Sequence, residues 1–141
     1  MSICVTSLLR DKGFKVTPQR LAIYNYLSST KAHPNAEMIF NELQPVYPTM
    51  SLATVYKTME ILREIGLVQI LNVGEDSFRY DALTEDHAHV RCMSCGRVDD
   101  IEHMQTEHLA NEVNKNTSYK VAGQQFYFYG VCPECQKKPA N

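Results

Sequence analysis

Four of the five cysteines in this chain form two clips of identical spacing, Cys92-Met93-Ser94-Cys95 and Cys132-Pro133-Glu134-Cys135. Each clip offers two sulfurs from one tight turn. Two clips together can close a tetrahedral thiolate cage, the arrangement a structural zinc takes with bonds of about 2.3 Å. Such a cage leaves no open position for a substrate, so the role it implies is structural. The 36 residues between Cys95 and Cys132 exceed a compact zinc-ribbon gap, so the metal would tie the start of a domain to its end. Cys4 stands apart and reads as an ordinary free thiol. Around the first clip lies a second donor set: Asp81, Asp86, His87, His89, Asp99 and Asp100. Imidazole and carboxylate suit a harder, exchangeable divalent ion such as iron or manganese. His87 and His89 alternate, so on a strand they face the same way. Spacing leaves Asp99 and Asp100 as alternatives, and it gives the distant His33 the reading of a surface residue. His103 and His108 read as solvated.

These residues must be positioned by the elements around them. Residues 2–11 carry Ile3, Val5, Leu8 and Leu9 at rough helical spacing, ended by Gly13. Thr17-Pro18-Gln19-Arg20 offers an N-cap and a proline at the first helical position, ahead of a stripe through Leu21, Ile23, Tyr24 and Leu27. His33-Pro34-Asn35 opens a third helix, with Ala36, Ile39, Phe40 and Leu43 inward. Ser51 caps a fourth that runs through Leu52, Val55, Tyr56, Met59 and Leu62 to Gly66. After Gly66 the period shortens. Residues 67–71 and 77–80 are strand-like around Asn72-Val73-Gly74-Glu75-Asp76, a hairpin pattern.

Short helices followed by a hairpin describe a winged helix-turn-helix. Its fourth helix would enter the DNA major groove by its N-terminal half. Ser51, Thr54, Tyr56 and Lys57 would then bond bases or phosphates while Leu52 and Val55 pack inside. The alternative is a helical bundle with an unrelated hairpin. In the second half, 88–92, 96–102, 119–121 and 125–129 are strand-like and 106–115 has helical spacing. The fold expected is α+β: a winged-helix domain with hinge over residues 1–83 and a small α/β domain over 84–141. So small a domain would gain from a metal staple and from pairing with a second copy.

The totals narrow the classes. The chain has 141 residues, of which 44% are hydrophobic and 21% charged, a soluble globular composition. No apolar run approaches a membrane span of about 20 residues, and Met1-Ser2-Ile3-Cys4-Val5 lacks a signal-peptide start, so a cytoplasmic location is the default. Reduced cysteines there favour metal ligation over disulfides. The net charge of −2 gives no global nucleic-acid footprint. A local one exists in Arg10, Lys12, Lys15 and Arg20, with Asp11 the single acid among them.

Thr17-Pro18-Gln19-Arg20, Ala32-His33-Pro34, Ser51-x-Ala53-Thr54-Val55-Tyr56, Asp86-His87-x-His89, Cys92-x-x-Cys95-Gly96 and Tyr129-Gly130-Val131-Cys132-x-x-Cys135 follow in order. Together they resemble the motifs of the ferric uptake regulator (Fur) superfamily over nearly the whole chain, and most closely its peroxide-sensing branch (PerR). The resemblance implies a homodimeric, metal-dependent repressor that binds double-stranded operator DNA and has no catalytic function. It implies structural zinc on Cys92, Cys95, Cys132 and Cys135. It implies regulatory iron or manganese on His33, Asp81, His87, His89 and Asp100, with His33 and His87 as the oxidation-sensitive ligands. DNA contacts would fall on Arg20, Ser51, Thr54, Tyr56 and Lys57. Iron-sensing members tend to carry glutamate where Asp81 and Asp100 stand. Their additional metal site is expected to be missing, since Gln124, Gln125 and Ala88 replace ligands and Glu107 alone remains. Three other readings compete: a plain iron- or zinc-sensing repressor, an iron–thiolate electron carrier built on the clips, and a hydrolase using the His/Asp set.

Overall fold

Thr17 accepts from the backbone N–H of Arg20 at 3.1 Å, and Pro18 at the first helical position has no N–H to leave unpaired. These two residues start α2 (Pro18–Ser29), which follows the short α1 (Val5–Asp11). Asn35 accepts from Met38 N–H to begin α3 (Ala36–Leu43), and Ser51 accepts from Thr54 N–H to begin α4 (Leu52–Glu64). Gly66, at φ +84°, ends α4: its N–H bonds Arg63 and that of Leu67 bonds Leu62. This pair of bonds closes the helix C-terminus, and only a residue at ease with positive φ completes it cheaply. Two short antiparallel strands follow, β1 (Gln69–Leu71) and β2 (Arg79–Asp81), with Ile70 opposite Tyr80. Helices and strands together make the winged helix-turn-helix that the sequence pattern implies.

The computed structural model describes residues 4–72, 77–82, 87–102 and 104–138. The expected hairpin turn at 73–76, Asp86 and His103 lie outside these. The chain divides into two compact units, Met1–Thr84 and Glu85–Asn141. The N-terminal unit is built on one apolar cluster. Leu9 on α1, Ile23 and Leu27 on α2, Ile39 on α3, and Val55, Met59 and Leu62 on α4 are all almost fully buried. Phe40, Leu43 and Leu52 pack against the cluster from partly exposed positions.

The C-terminal unit holds a three-stranded sheet in the order β4-β3-β5, formed by β3 (Ala88–Cys92), β4 (Val98–Ile101) and β5 (Tyr127–Gly130). β4 runs antiparallel to β3 and β5 runs parallel to it. Helix α5 (Glu107–Asn116) lies between β4 and β5 in sequence and has no buried residue in this chain. The strand expected at Tyr119–Val121 does not form. Val121 instead donates its N–H to the side chain of Asn114 at 2.9 Å, and Tyr119 donates to Thr117 Oγ1. These local bonds use backbone groups that a strand would need for its ladder. A last short helix, α6 (Pro133–Gln136), begins at Pro133, a residue type suited to the first helical position.

Candidate metal centres and nucleic-acid interface

The thiolate cage is assembled by sheet register. β3 pairs with β5 so that Cys92 stands opposite Gly130, which brings the second clip beside the end of β3. Met93 N–H bonds Gly130 C=O at 2.7 Å, and Gly96, at φ +80°, turns the first clip back so that Cys92 N–H reaches Arg97 C=O. Sγ atoms of Cys92, Cys95, Cys132 and Cys135 all lie within 4.8 Å of one another, and those of Cys95 and Cys132 are 3.8 Å apart. A regular tetrahedron with zinc–sulfur bonds of about 2.3 Å has sulfurs about 3.8 Å apart. The cage therefore fits zinc in size as well as in donor chemistry.

Its electrostatics point the same way. Backbone N–H groups of Cys132 and Cys95 both aim at Cys92 Sγ, at 3.3 and 3.4 Å, and draw that thiol down to about 6. Cys132 shifts oppositely, to about 12: the N–H of Cys135 favours its thiolate, but burial and the adjacent Cys135, Cys92 and Cys95 sulfurs together outweigh that bond. One negative charge is favoured in the cage and the next is resisted. A divalent cation removes that resistance. Across the outside, Arg97 ties Asp99 on β4, at 2.6 Å, to Glu134 of the second clip, at 2.9 Å.

The His/Asp residues gather within each unit. In the C-terminal unit His89 lies opposite Asp100 in the β3–β4 register, and the rings of His87 and His89 sit 4.3 Å apart on one face. Asp100 Oδ1 meets His87 Nε2 at 2.8 Å and His89 Nε2 at 3.2 Å. Asp99 takes the other face of β4 and bonds Arg97, so strand alternation separates the two aspartates that spacing left open. In the N-terminal unit His33 Nε2 lies 3.3 Å from Asp81 Oδ2. His33 is 3% exposed, which overturns its reading as a surface residue.

His33 also has a φ of +52°, the only positive value at a non-glycine among the described residues. Such a conformation costs on the order of 1 kcal/mol, and histidine tolerates it better than most residues. The donors are nitrogen and carboxylate oxygen throughout, as iron or manganese prefers. Glu107 lies exposed in the first turn of α5, and Gln124 donates to the backbone and hydroxyl of Thr106 at 3.3 Å.

Helix α4 presents its outer face by the same period that buries Val55, Met59 and Leu62. Tyr56 is 47% exposed, and Lys57 beside it is exposed. Ser51 and Thr54 share a hydroxyl bond of 2.9 Å at the N-terminus of the helix. Arg20 on α2 bonds Lys15 C=O at 2.7 Å. No described helix is long and apolar enough to cross a membrane.

The ferric uptake regulator family model matches residues 11–129. The transcriptional regulator PerR of Clostridium acetobutylicum is 48% identical over 134 residues, covering 95% of this chain and 97% of that protein. The peroxide operon regulator of Bacillus subtilis is 40% identical over 130 residues, 92% of this chain and 90% of its own. Among solved structures, the ferric uptake regulator Fur of Helicobacter pylori superposes with a TM-score of 0.81 over 99% of this chain and 100% of its own. That likeness, at 22% identity, bears on fold alone. Winged helix, thiolate cage and paired imidazoles thus sit in a chain that matches its relatives almost from end to end, and the chain belongs to the ferric uptake regulator family.

Proposed function

We propose that this protein is a metal-dependent, peroxide-sensing transcriptional repressor that acts as a cytoplasmic homodimer on double-stranded operator DNA. The observation that carries the reading is end-to-end similarity to two relatives named for PerR and for peroxide control, in a chain whose His and Asp donors pair within each unit. Cys92, Cys95, Cys132 and Cys135 hold structural zinc. His33, Asp81, His87, His89 and Asp100 together hold regulatory iron or manganese. Residues 1–83 then serve as the DNA-binding domain with hinge and 84–141 as the metal-binding dimerisation domain.

The donor set accounts for regulation. His33 and Asp81 come from the N-terminal unit and the other three ligands from the C-terminal unit, so all five can serve one ion only when the units adopt a definite arrangement. Ligation therefore favours that arrangement over others, and it acts as a switch to the extent that DNA selects the same one. Imidazoles must be neutral to ligate, so occupancy falls at low pH. Held by these five residues, ferrous iron would supply the electrons that activate hydrogen peroxide beside the ligands. The imidazole of His33 or His87 gains one oxygen atom, and the other oxygen of peroxide leaves as water. An oxidised imidazole is a poorer ligand, so the set loosens and the operator is released. Manganese supports DNA binding without this step.

On the DNA side, Ser51, Thr54, Tyr56 and Lys57 of α4 meet the major groove, with Arg20 on the backbone. The apolar side of α5 is open: Leu109, Val113, Val121 and Phe126 line a groove of about 630 Å³, which a second copy covers in the dimer.

Mass spectrometry of iron-loaded protein after mild peroxide tests the sensing step. One added oxygen on the His33 or His87 peptide, with loss of operator binding, is expected. Iron-loaded protein that stays unmodified and bound points instead to a plain iron- or zinc-sensing repressor. For the DNA face, Lys57→Ala is expected to reduce the slope of log affinity against log salt by about 1. Tyr56→Ala should weaken binding with zinc still at full stoichiometry. Unchanged binding in both variants would misplace the recognition helix.

A further inference from the structure

Strand β2 grips the segment that carries His33 at three successive residues. Asp81 meets the His33 ring, with Oδ2 3.3 Å from Nε2. Tyr80 donates its backbone N–H to Pro34 C=O at 3.0 Å. Arg79 reaches back 46 positions in the chain and donates from Nη1 to the His33 carbonyl at 3.2 Å, a bond that is buried. The same Nη1 lies 3.5 Å from Met38 Sδ, so the guanidinium is wedged between the turn and α3. All of these contacts lie within the N-terminal unit.

The Arg79 contact falls on an unusual piece of backbone. His33 precedes a proline, which steers it toward extended φ and ψ, yet its φ is +52°. Its carbonyl is buried with it, and a buried carbonyl needs a donor. A guanidinium carries several donors in a planar fork, stays charged, and keeps its geometry when desolvated. Arg79 is itself only 9% exposed. It belongs to the strand that supplies Asp81, so strand, ring and carboxylate are placed by one element.

We propose that Arg79 is a positioning residue for the regulatory centre: by bonding the His33 carbonyl it holds His33 in the left-handed conformation that aims its imidazole at the metal. The proposal rests on His33 being a ligand, as read above. Residues that orient metal ligands from behind typically change metal affinity by 10–100-fold when replaced.

The test compares wild-type protein with Arg79→Gln, Arg79→Lys and His33→Ala, each loaded with zinc. Manganese affinity is measured by electron paramagnetic resonance. The share of oxygen on the His33 and His87 peptides is measured after iron and peroxide. Arg79→Gln is expected to bind manganese about tenfold more weakly or worse. It should also shift oxidation from His33 toward His87, with zinc content and helical melting kept. Arg79→Lys, which retains a charged donor, should fall between Gln and wild type.

Wild-type affinity together with a wild-type oxidation ratio in Arg79→Gln would overturn the proposal. So would equal losses in both Arg79 variants accompanied by loss of the helical signal, because Arg79 would then serve only the fold. If wild-type protein itself takes up no manganese, or His33→Ala changes nothing, the regulatory reading fails instead, and the two failures are told apart.

Discussion

The two halves of this chain are held together by different physics. The N-terminal unit buries Leu9, Ile23, Leu27, Ile39, Val55, Met59 and Leu62 almost completely, side chains drawn from four helices. In the C-terminal unit the buried apolar residues among those described are Ala88, Cys92 and Val98, and one of these is a proposed zinc ligand. Burial of a large aliphatic side chain contributes about 1.5–3 kcal/mol. A unit with so few cannot offset the backbone entropy of its own length that way. The first half can stand on its core. On the reading proposed above, the second would depend on thiolates, a metal and a second copy over α5.

The largest effect that could break this contrast is removal of zinc. Chelation, or replacement of Cys92 and Cys132 by serine, is expected to abolish the C-terminal sheet and the dimer while the helical N-terminal unit keeps a cooperative melting transition. Small structural zinc sites contribute on the order of 10 kcal/mol to folding. Circular dichroism with size-exclusion chromatography reads both halves at once. A zinc-free protein that keeps its strands and its dimer would show that the second core is sufficient after all.

Next in size is Leu62→Ala, which empties a fully buried site on α4 and should destabilise the N-terminal unit by about 2–5 kcal/mol. Denaturant melts should show that loss with zinc stoichiometry intact. Release of zinc in the same transition would mean that the halves do not unfold independently.

The smallest effect is expected from Arg97→Ala. Its ion pairs with Asp99 and Glu134 are roughly half exposed, and such pairs contribute little. Melting of the zinc-loaded protein should be almost unchanged. A large drop would mean that surface charge, more than the cage, holds the clips together.

What could be read from the sequence follows the same division. Thr17, Asn35 and Ser51 cap helices where their types suggested, because capping is decided within three residues. The thiolate cage was legible because clip spacing is itself a local geometric statement. His33 was not legible by spacing. Its burial depends on β2 reaching across 46 positions, and only the resemblance carried by the motif around it proposed a role for it. The choice between Asp99 and Asp100 needed strand register, which puts Asp100 opposite His89. Tyr119–Val121 looked like a strand because aromatic and β-branched residues favour one, yet side-chain bonds from Asn114 and Thr117 took the backbone groups first. Pairing of β5 alongside β3 was equally invisible, since nothing near β5 names its partner.

That parallel pairing has a further consequence. Its two strands end in register, Cys92 opposite Gly130, and the cage sits where they end. A metal bound there would act as a cross-link closing a loop of 36 residues between the inner cysteines, a loop that contains β4, α5 and β5. Closing entropy grows only with the logarithm of length, so doubling such a loop costs about 0.6 kcal/mol more. The part of that loop between β4 and β5, α5 included, is therefore free to vary in length and surface at little cost to the clasp. Relatives could change what α5 offers a partner while leaving the strand ends fastened as they are here.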